Sequence, residues 1–206
     1  MKLSPTNKKI LIFGAVFIAF TIIVAFVSKT GDSGSEENII TVRPFEDYEV
    51  ADTASGKMLK SEGALFSLAI PEGWAVKDYG SEVNLVSSES DKLGITDIDE
   101  SICRVAVEIK NYSENSQELT DFNSLIDEVA SGEKGEDREF RYDLIDAGGR
   151  SFLKTTFKKD DKIIYITAKT RQGNNIYYIA SGLIYSDDCI NSFNEVLNTV
   201  SIASDK

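Results

Sequence analysis

The chain has 206 residues, enough for one ordinary domain with attachments, and its 42% hydrophobic and 27% charged content is that of a globular protein. Its 34 acidic and 22 basic residues give a net charge of −12, which argues against nucleic acid as a partner because the phosphate backbone would be repelled. The sequence has no histidine, which excludes Ser-His-Asp and Cys-His nucleophiles and imidazole zinc sites.

The first element is an uncharged apolar run at residues 10–27, ILIFGAVFIAFTIIVAFV. As a helix, a run of this length extends about 27 Å, close to the roughly 30 Å of a bilayer's hydrocarbon core. A buried soluble helix would show a polar face, whereas this run has Thr21 alone. A cleaved signal peptide needs a small-x-small site and a lipid anchor needs a cysteine, and neither follows the run. We therefore predict a retained transmembrane signal anchor.

The charges around this run predict its orientation. Lys2, Lys8 and Lys9 lie in a basic tail at residues 1–9, and acidic residues soon follow the run. Positive flanks stay in the cytoplasm, so the N-terminus is expected inside and the remainder of the chain outside. Beyond the run, 19 basic and 34 acidic residues give the exported part a net charge of −15.

A polar segment at residues 28–61 comes next, beginning SKTGDSGSEEN. This composition predicts a flexible linker with a root-mean-square reach of roughly 30 Å. The patch at residues 39–42, Ile-Ile-Thr-Val, could form a short strand or a docking segment.

The globular domain is predicted at residues 62–203, with three strands, a helix, four strands and a closing helix. Alternating apolar residues indicate the strands, and apolar residues repeating every three or four positions indicate the helices. Short turns join the last four strands, so they are expected to pair antiparallel, and the fold class is α+β, a mainly antiparallel sheet packed with helices. The strands are expected near residues 65–70, 83–87, 103–110, 140–144, 150–158, 163–170 and 176–181, and the helices at 120–131 and from 186 to about 200.

Helix ends are predicted from capping residues. Thr120 and Ser186 have hydroxyls that can accept from an unpaired backbone N–H, so each is expected to precede its helix as the N-cap. Gly132 is expected to end the first helix. Asp187 and Asp188 suit the positive end of the second helix dipole.

Two cysteines, Cys103 and Cys189, lie in the exported part. An oxidising compartment permits a disulfide between them. Two separate buried thiols are the alternative, because free cysteine is among the most buried residue types.

One acidic cluster is a candidate metal site. Asp97, Asp99 and Glu100 could offer Ca²⁺ the oxygen ligands that it prefers, although the cluster lacks the glycine and the later ligands of a calcium loop. A solvated acidic loop is the interpretation that we favour. No other residues are predicted to hold a cofactor.

The aromatic residues offer a second candidate surface. Tyr177 and Tyr178 are neighbours in one strand and must point to opposite faces of the sheet, so one of them can be exposed. Together with Tyr165 on the preceding strand, it could form an aromatic binding patch. Packing against the sheet is the interpretation that we favour, and Trp74, the single tryptophan, is predicted to close the edge of the core.

The segment Phe66–Trp74, FSLAIPEGW, resembles the start of PsbP-like domains, in which an apolar strand leads into Pro-x-Gly-Trp. The order of the elements that follow is also similar, so the resemblance covers about residues 62–203. It implies an α/β/α sandwich and a non-catalytic binding role. The family's plant members are extrinsic subunits of photosystem II, a eukaryotic branch binds the small GTPase Ran, and many bacterial members are membrane-anchored or lipid-anchored. No partner-contacting residue of the family can be placed on this chain.

These expectations combine into one functional hypothesis. We expect a single-pass protein of a bacterial cell membrane whose extracytoplasmic domain binds a protein partner at the membrane or envelope without catalysing a reaction. Two alternatives stay open: an enzyme or enzyme accessory that uses carboxylates and calcium, and a structural envelope protein that assembles with itself.

Overall fold

Two antiparallel sheets and two helices make up the described part of the chain. The computed structural model describes residues 41–78, 82–88, 101–136, 139–184 and 186–203. The predicted α+β class with a mainly antiparallel sheet is therefore confirmed. In chain order the elements are β1 (Thr41–Val42), β2 (Glu49–Thr53), β3 (Gly56–Ser61), β4 (Phe66–Ala69), β5 (Ala75–Asp78), β6 (Val83–Val86), β7 (Arg104–Asn111), α1 (Gln117–Ser131), β8 (Phe140–Ala147), β9 (Arg150–Lys159), β10 (Lys162–Gln172), β11 (Asn175–Ser181), α2 (Asp187–Asn198) and β12 (Ser201–Ile202).

The larger sheet has the strand order β5-β6-β7-β11-β10-β9-β8, and β1 pairs with the end of β7. The smaller sheet has the order β12-β4-β3-β2. The last four long strands form hairpins through tight turns, and β11 returns to pair with β7 in the middle of the sheet. This return places β7, from the first half of the domain, beside strands from the second half.

The main core lies between one face of the larger sheet, the smaller sheet and α2. Val105, Val107 and Ile109 of β7 point into it and are at most 1% exposed. Leu68 of the smaller sheet and Phe193 of α2 are fully buried opposite them. We call this face of the larger sheet the core face, and the opposite face, which carries Arg104, Ala106 and Glu108 of β7, the outer face.

Helix α1 packs on the outer face. Its residues Leu119 and Phe122 form a second apolar cluster with Leu153 of β9 and Ile176 of β11. Because this cluster draws on one end of β9 and β11, the helix leaves positions nearer the other end of the strands partly exposed.

The prediction of a flexible linker is wrong for residues 41–61, which form β1, β2 and β3. Their composition is polar because one side of this hairpin faces solvent. The other side is buried: Leu59 and Ser61 are each 1% exposed, and β3 pairs with β4 along Met58–Ser61. The patch at residues 39–42 is described only for Thr41 and Val42, which form the short strand β1.

Helix α1 begins one turn earlier than predicted. Ser116, not Thr120, is its N-cap, and the Ser116 hydroxyl accepts a hydrogen bond from the Leu119 backbone N–H at 3.3 Å. Gly132 ends the helix in a left-handed conformation, as predicted. Ser186 precedes α2 as predicted, but its hydroxyl does not cap the helix and lies 3.6 Å from the Cys189 sulfur.

Cys103 and Cys189 form a disulfide, with their Cα atoms 5.0 Å apart. Of the two alternatives left open by the sequence, the cross-link is therefore the one found. It joins the residue before β7 to the first turn of α2 across a separation of 86 residues.

In the described ranges, neither helix is long and apolar enough to cross a membrane. The predicted basic tail at 1–9, the anchor at 10–27 and the linker residues 28–40 lie outside the described residues.

Candidate binding surface

A row of small residues crosses the outer face of the larger sheet. Ala106 of β7 lies opposite Ala180 of β11, which lies opposite Thr167 of β10, which lies opposite Thr155 of β9. All four are partly buried. The hydroxyls of Thr155 and Thr167 have no hydrogen-bond partner among the residues that the structure describes. We call this row of four residues the furrow.

Larger side chains occupy the neighbouring positions on both sides of the furrow. On the side away from α1, Tyr165 lies opposite Phe157. On the side toward α1, Glu108 lies opposite Tyr178, and Tyr178 lies opposite Lys169. Alternate residues of a strand share one face, so these side chains project from the same face as the furrow.

Two lysines flank the ring of Tyr178. The Lys110 Nζ lies 4.8 Å from the ring centroid and the Lys169 Nζ lies 5.1 Å from it, both within cation–π range. Lys110 also forms an ion pair with Glu108 at 2.8 Å. In the described part of the chain Lys169 has no carboxylate within ion-pair distance. Of these two ammonium groups, that of Lys110 is therefore paired with a carboxylate and that of Lys169 is not.

Burial and neighbouring charges shift the pKa values of this cluster. Burial, together with the nearby ammonium of Lys110, lowers the pKa of Lys169. Burial raises the pKa of Tyr178, and the Tyr112 hydroxyl, 3.0 Å from the Tyr178 hydroxyl, adds to this rise. Although much of Glu82 is exposed, burial of its carboxyl group and the charge of Glu108 raise its pKa. Lys169 and Tyr178, whose pKa values are both shifted, lie side by side and make this part of the outer face a candidate functional site.

Aromatic rings continue the surface toward β8. The Phe157 ring centroid lies 5.3 Å from that of Tyr165 and 5.1 Å from that of Phe140. Phe140 in turn stacks on Tyr142 at 6.3 Å, and Lys134 lies 4.8 Å from the Tyr142 centroid. Because the rings stack mainly on one another, they stabilise this end of the sheet and also border the furrow.

The predicted aromatic patch is thus present in a different form. Tyr177 is 1% exposed and points into the core, where its hydroxyl donates to the Ala64 carbonyl at 2.8 Å. Tyr178 and Tyr165 share the outer face, as expected for the partly exposed pair, but both are partly buried in sheet packing. Trp74 is partly buried against the main core, as predicted.

A second depression, of about 240 Å³, lies beside β2. Arg43 lines it, and the guanidinium donates to the Gly63 carbonyl at 2.8 Å and pairs with Asp47 at 3.3 Å. These contacts join the two single 3-10 turns, Phe45–Asp47 and Glu62–Ala64. These contacts favour a structural role for the depression, although the Arg43 Nε is buried without a hydrogen-bond partner in the described part of the chain.

No protein-family model matches the chain, and no curated protein matches it. The solved structures that are similar at low identity include the following two. A protein of Bacteroides thetaiotaomicron VPI-5482 is 16% identical with a TM-score of 0.38, and the match covers 69% of this chain and 47% of that one. LpqN of Mycobacterium tuberculosis, which is involved in cell envelope biogenesis, is 11% identical with a TM-score of 0.42, and the match covers 81% of this chain and 93% of that one.

This chain therefore spans about half the length of the Bacteroides protein. At these scores neither similarity identifies a ligand or an activity for this chain. The PsbP-like resemblance of residues 62–203 stays a prediction.

The predicted calcium ligands Asp97, Asp99 and Glu100 lie outside the described residues. Within the described ranges, no group of three acidic or cysteine side chains is arranged to hold a metal ion. The calcium hypothesis stays a prediction.

Proposed function

We propose that this chain is a membrane-tethered, extracytoplasmic binding domain, and that it engages a protein partner of the membrane or envelope through the furrow. The observation that carries the proposal is the outer face itself. It combines a row of small, partly buried residues with an uncompensated lysine and threonine hydroxyls that lack a partner in the described ranges. A partly buried ammonium without a counter-ion is disfavoured, so such a surface is best explained by a ligand that supplies an anion.

The location outside the cytoplasm is supported by the sequence and by one cross-link. Residues 10–27 are long and apolar enough to span a bilayer, and the lysines before them favour a cytoplasmic N-terminus. The Cys103–Cys189 disulfide fits an oxidising compartment, because cytoplasmic thiols are generally kept reduced.

A binding role, rather than catalysis, is supported by the spacing of the ionisable groups. Glu82 adjoins β6 and Lys169 lies on β10, three strand positions away, which corresponds to about 14 Å at roughly 4.8 Å per strand. A general acid or base must come within hydrogen-bond reach of the reacting atom. Glu82 and Lys169 therefore suit two points on an extended ligand better than one reacting centre.

The test uses the tagged full-length protein in cells, with chemical crosslinking followed by mass spectrometry. The proposal expects a reproducible membrane or envelope protein that is lost when residues 41–203 are removed and residues 1–40 are kept. An alkaline phosphatase fused to the C-terminus should be active, since that enzyme requires the oxidising exterior. A folded, exported protein that crosslinks to no protein would overturn the binding role, and an inactive fusion would overturn the location.

A further inference from the structure

Resting on the proposed function, we infer that the furrow receives an extended segment of the partner protein that carries one acidic and one basic residue about four positions apart. The acidic residue pairs with Lys169 and the basic residue pairs with Glu82. The segment runs across the strands, over Ala106, Ala180 and Thr167, with the ring of Tyr165 on one side and that of Tyr178 on the other.

Lys169 identifies the acidic contact. Its ammonium is partly buried and touches an aromatic ring, and among the described residues no carboxylate compensates it. Lys110 cannot serve the same purpose, because its ammonium is already 2.8 Å from a Glu108 carboxylate oxygen. A partly desolvated cation without an anion attracts one more strongly than an exposed lysine does, because less of its charge is screened by water.

Glu82 identifies the basic contact. It adjoins the β6 residue Val83, which pairs with Val107, so Glu82 projects beside Glu108 on the outer face. The Glu108 carboxylate is occupied by Lys110. Burial and the charge of Glu108 raise the pKa of Glu82, and a hydrogen bond from the Asn84 side chain and the charge of Lys110 offset only part of this rise. A cation from the partner would relieve this repulsion between like charges.

The strand order fixes the spacing of the two contacts. From β6 the sheet passes through β7 and β11 to β10, so Glu82 and Lys169 are separated by three strand positions, or about 14 Å. An extended peptide rises roughly 3.3 Å per residue, so about four residues cover this distance. The partner segment therefore needs its opposite charges about four positions apart.

The charge of the domain argues against other occupants. A densely anionic lipid surface or polymer would be repelled by an exported part whose net charge is −15. An acyl chain would cover the ammonium of Lys169 without supplying an anion, which is costly for a charge withdrawn from water. A peptide supplies both charges and also backbone groups for the hydroxyls.

The inference is tested in cells with the full-length chain carrying a photocrosslinking amino acid at Thr167. The control places the same group at Lys57, an exposed residue of β3 in the smaller sheet. Support requires an adduct from position 167 but not from 57, and a crosslinked segment with opposite charges about four residues apart. Lys169→Glu should lower the adduct yield about tenfold or more, because a charge pair is replaced by repulsion.

Lys162→Glu is the matched control, since Lys162 is an exposed lysine of the same strand, and it should leave the yield within about twofold. Melting curves of each variant show that it is folded.

Restoring the yield of Lys169→Glu by changing the partner's acidic residue to lysine would establish the pairing. Three outcomes would overturn the inference. They are an adduct with lipid or glycan, a crosslinked segment without that charge pattern, and an unchanged adduct yield in Lys169→Glu. If the inference fails but chemical crosslinking still captures a partner through residues 41–203, the proposed function stands. If chemical crosslinking captures no partner, the inference and the proposed function both fail.

Discussion

The Tyr177 hydroxyl donates a hydrogen bond of 2.8 Å to the Ala64 carbonyl, 113 residues earlier in the chain. Both residues are almost fully buried, at 1% and 2% exposure, and the bond ties the larger sheet to the 3-10 turn before β4. Tyr177→Phe leaves the carbonyl buried with one partner fewer, so we expect the free energy of unfolding to fall by about 1–2 kcal/mol. Urea unfolding monitored by circular dichroism measures the change.

Tyr165→Phe is the matched control for this prediction. The Tyr165 side chain is only partly buried, and its ring packs on Phe157. Removing its hydroxyl should alter the free energy of unfolding by less than about 0.5 kcal/mol. Equal losses in the two variants would mean that the hydrogen bond to Ala64 contributes nothing specific.

The Cys103–Cys189 disulfide is expected to stabilise the domain substantially. It closes a long segment, 86 residues in sequence separation, and so restricts the unfolded chain. The double variant Cys103→Ala/Cys189→Ala should lose about 2–4 kcal/mol of stability. Reductant should lower the melting temperature of the wild type but not that of the double variant. Labelling of both thiols by a maleimide in unreduced, unfolded protein would contradict the cross-link.

Gly148, in the turn between β8 and β9, has no room for a side chain. Its φ is +57°, and a Cβ atom there would collide with the Val200 carbonyl oxygen beyond α2. Gly148→Ala should therefore cost about 2–5 kcal/mol, combining left-handed strain of about 1–2 kcal/mol with overpacking of about 1–3 kcal/mol. Gly149 has a φ of +77° but open space around it, so Gly149→Ala should cost the strain alone. Thermal melts that rank the two variants equally would show that the turn can move away from α2.

The N-terminus of α1 distinguishes the observed cap from the predicted one. Ser116 is 1% exposed and accepts from the Leu119 N–H, so Ser116→Ala should cost about 1 kcal/mol. Thr120 is exposed within the first turns of the helix, so Thr120→Ala should change stability by less than about 0.5 kcal/mol. Chemical denaturation of both variants measures the difference. A larger loss of stability in Thr120→Ala than in Ser116→Ala would indicate that the helix begins at Thr120, as the sequence pattern predicts.

This error in the helix start has a local physical cause. Thr120 precedes the first strong run of apolar helix positions, whereas the turn from Gln117 to Leu119 has one apolar residue and shows little periodicity. Strands were easier to predict, because the buried face of β7 alternates regularly and β8 to β11 are joined by turns rich in glycine and aspartate. Strand β3 was not predicted, because one of the two residues on its buried side, Ser61, is polar. The run Met58–Ser61 therefore lacks the apolar alternation that indicates a strand.

The furrow could not be predicted from the sequence. Ala106, Thr155, Thr167 and Ala180 are far apart in the chain and none is unusual by itself. They form a row only because of the pairing register of four strands, and a shift of one residue in any strand would turn its member to the other face. The alternation within one strand did predict that Tyr177 and Tyr178 point to opposite faces, but not which of them shares a face with Tyr165.

Lys169 is expected to lower the stability of the unbound protein. Its pKa is lowered in the folded state by burial and by Lys110, so the folded chain binds fewer protons than the unfolded chain between that lowered pKa and the ordinary value of 10.5. Stability therefore rises with pH through this window, and the cost of the buried charge is fully present below the lowered pKa. Lys169→Met removes this cost and keeps a favourable contact with the Tyr178 ring through its sulfur. We expect a gain of about 0.5–2 kcal/mol at pH 7.

Urea unfolding of Lys169→Met and wild type at a series of pH values measures this effect. The difference between them should be largest near pH 7 and should shrink as the pH approaches 10.5, because the wild-type lysine then loses its charge in the unfolded state as well. Lys162→Met, at an exposed lysine of the same strand, should stay within about 0.5 kcal/mol of wild type. A destabilised Lys169→Met at pH 7 would mean that the ammonium is already compensated within the protein. A variant that is more stable yet captures less partner would instead show that this charge is kept for binding, because stability and function then oppose each other at one residue.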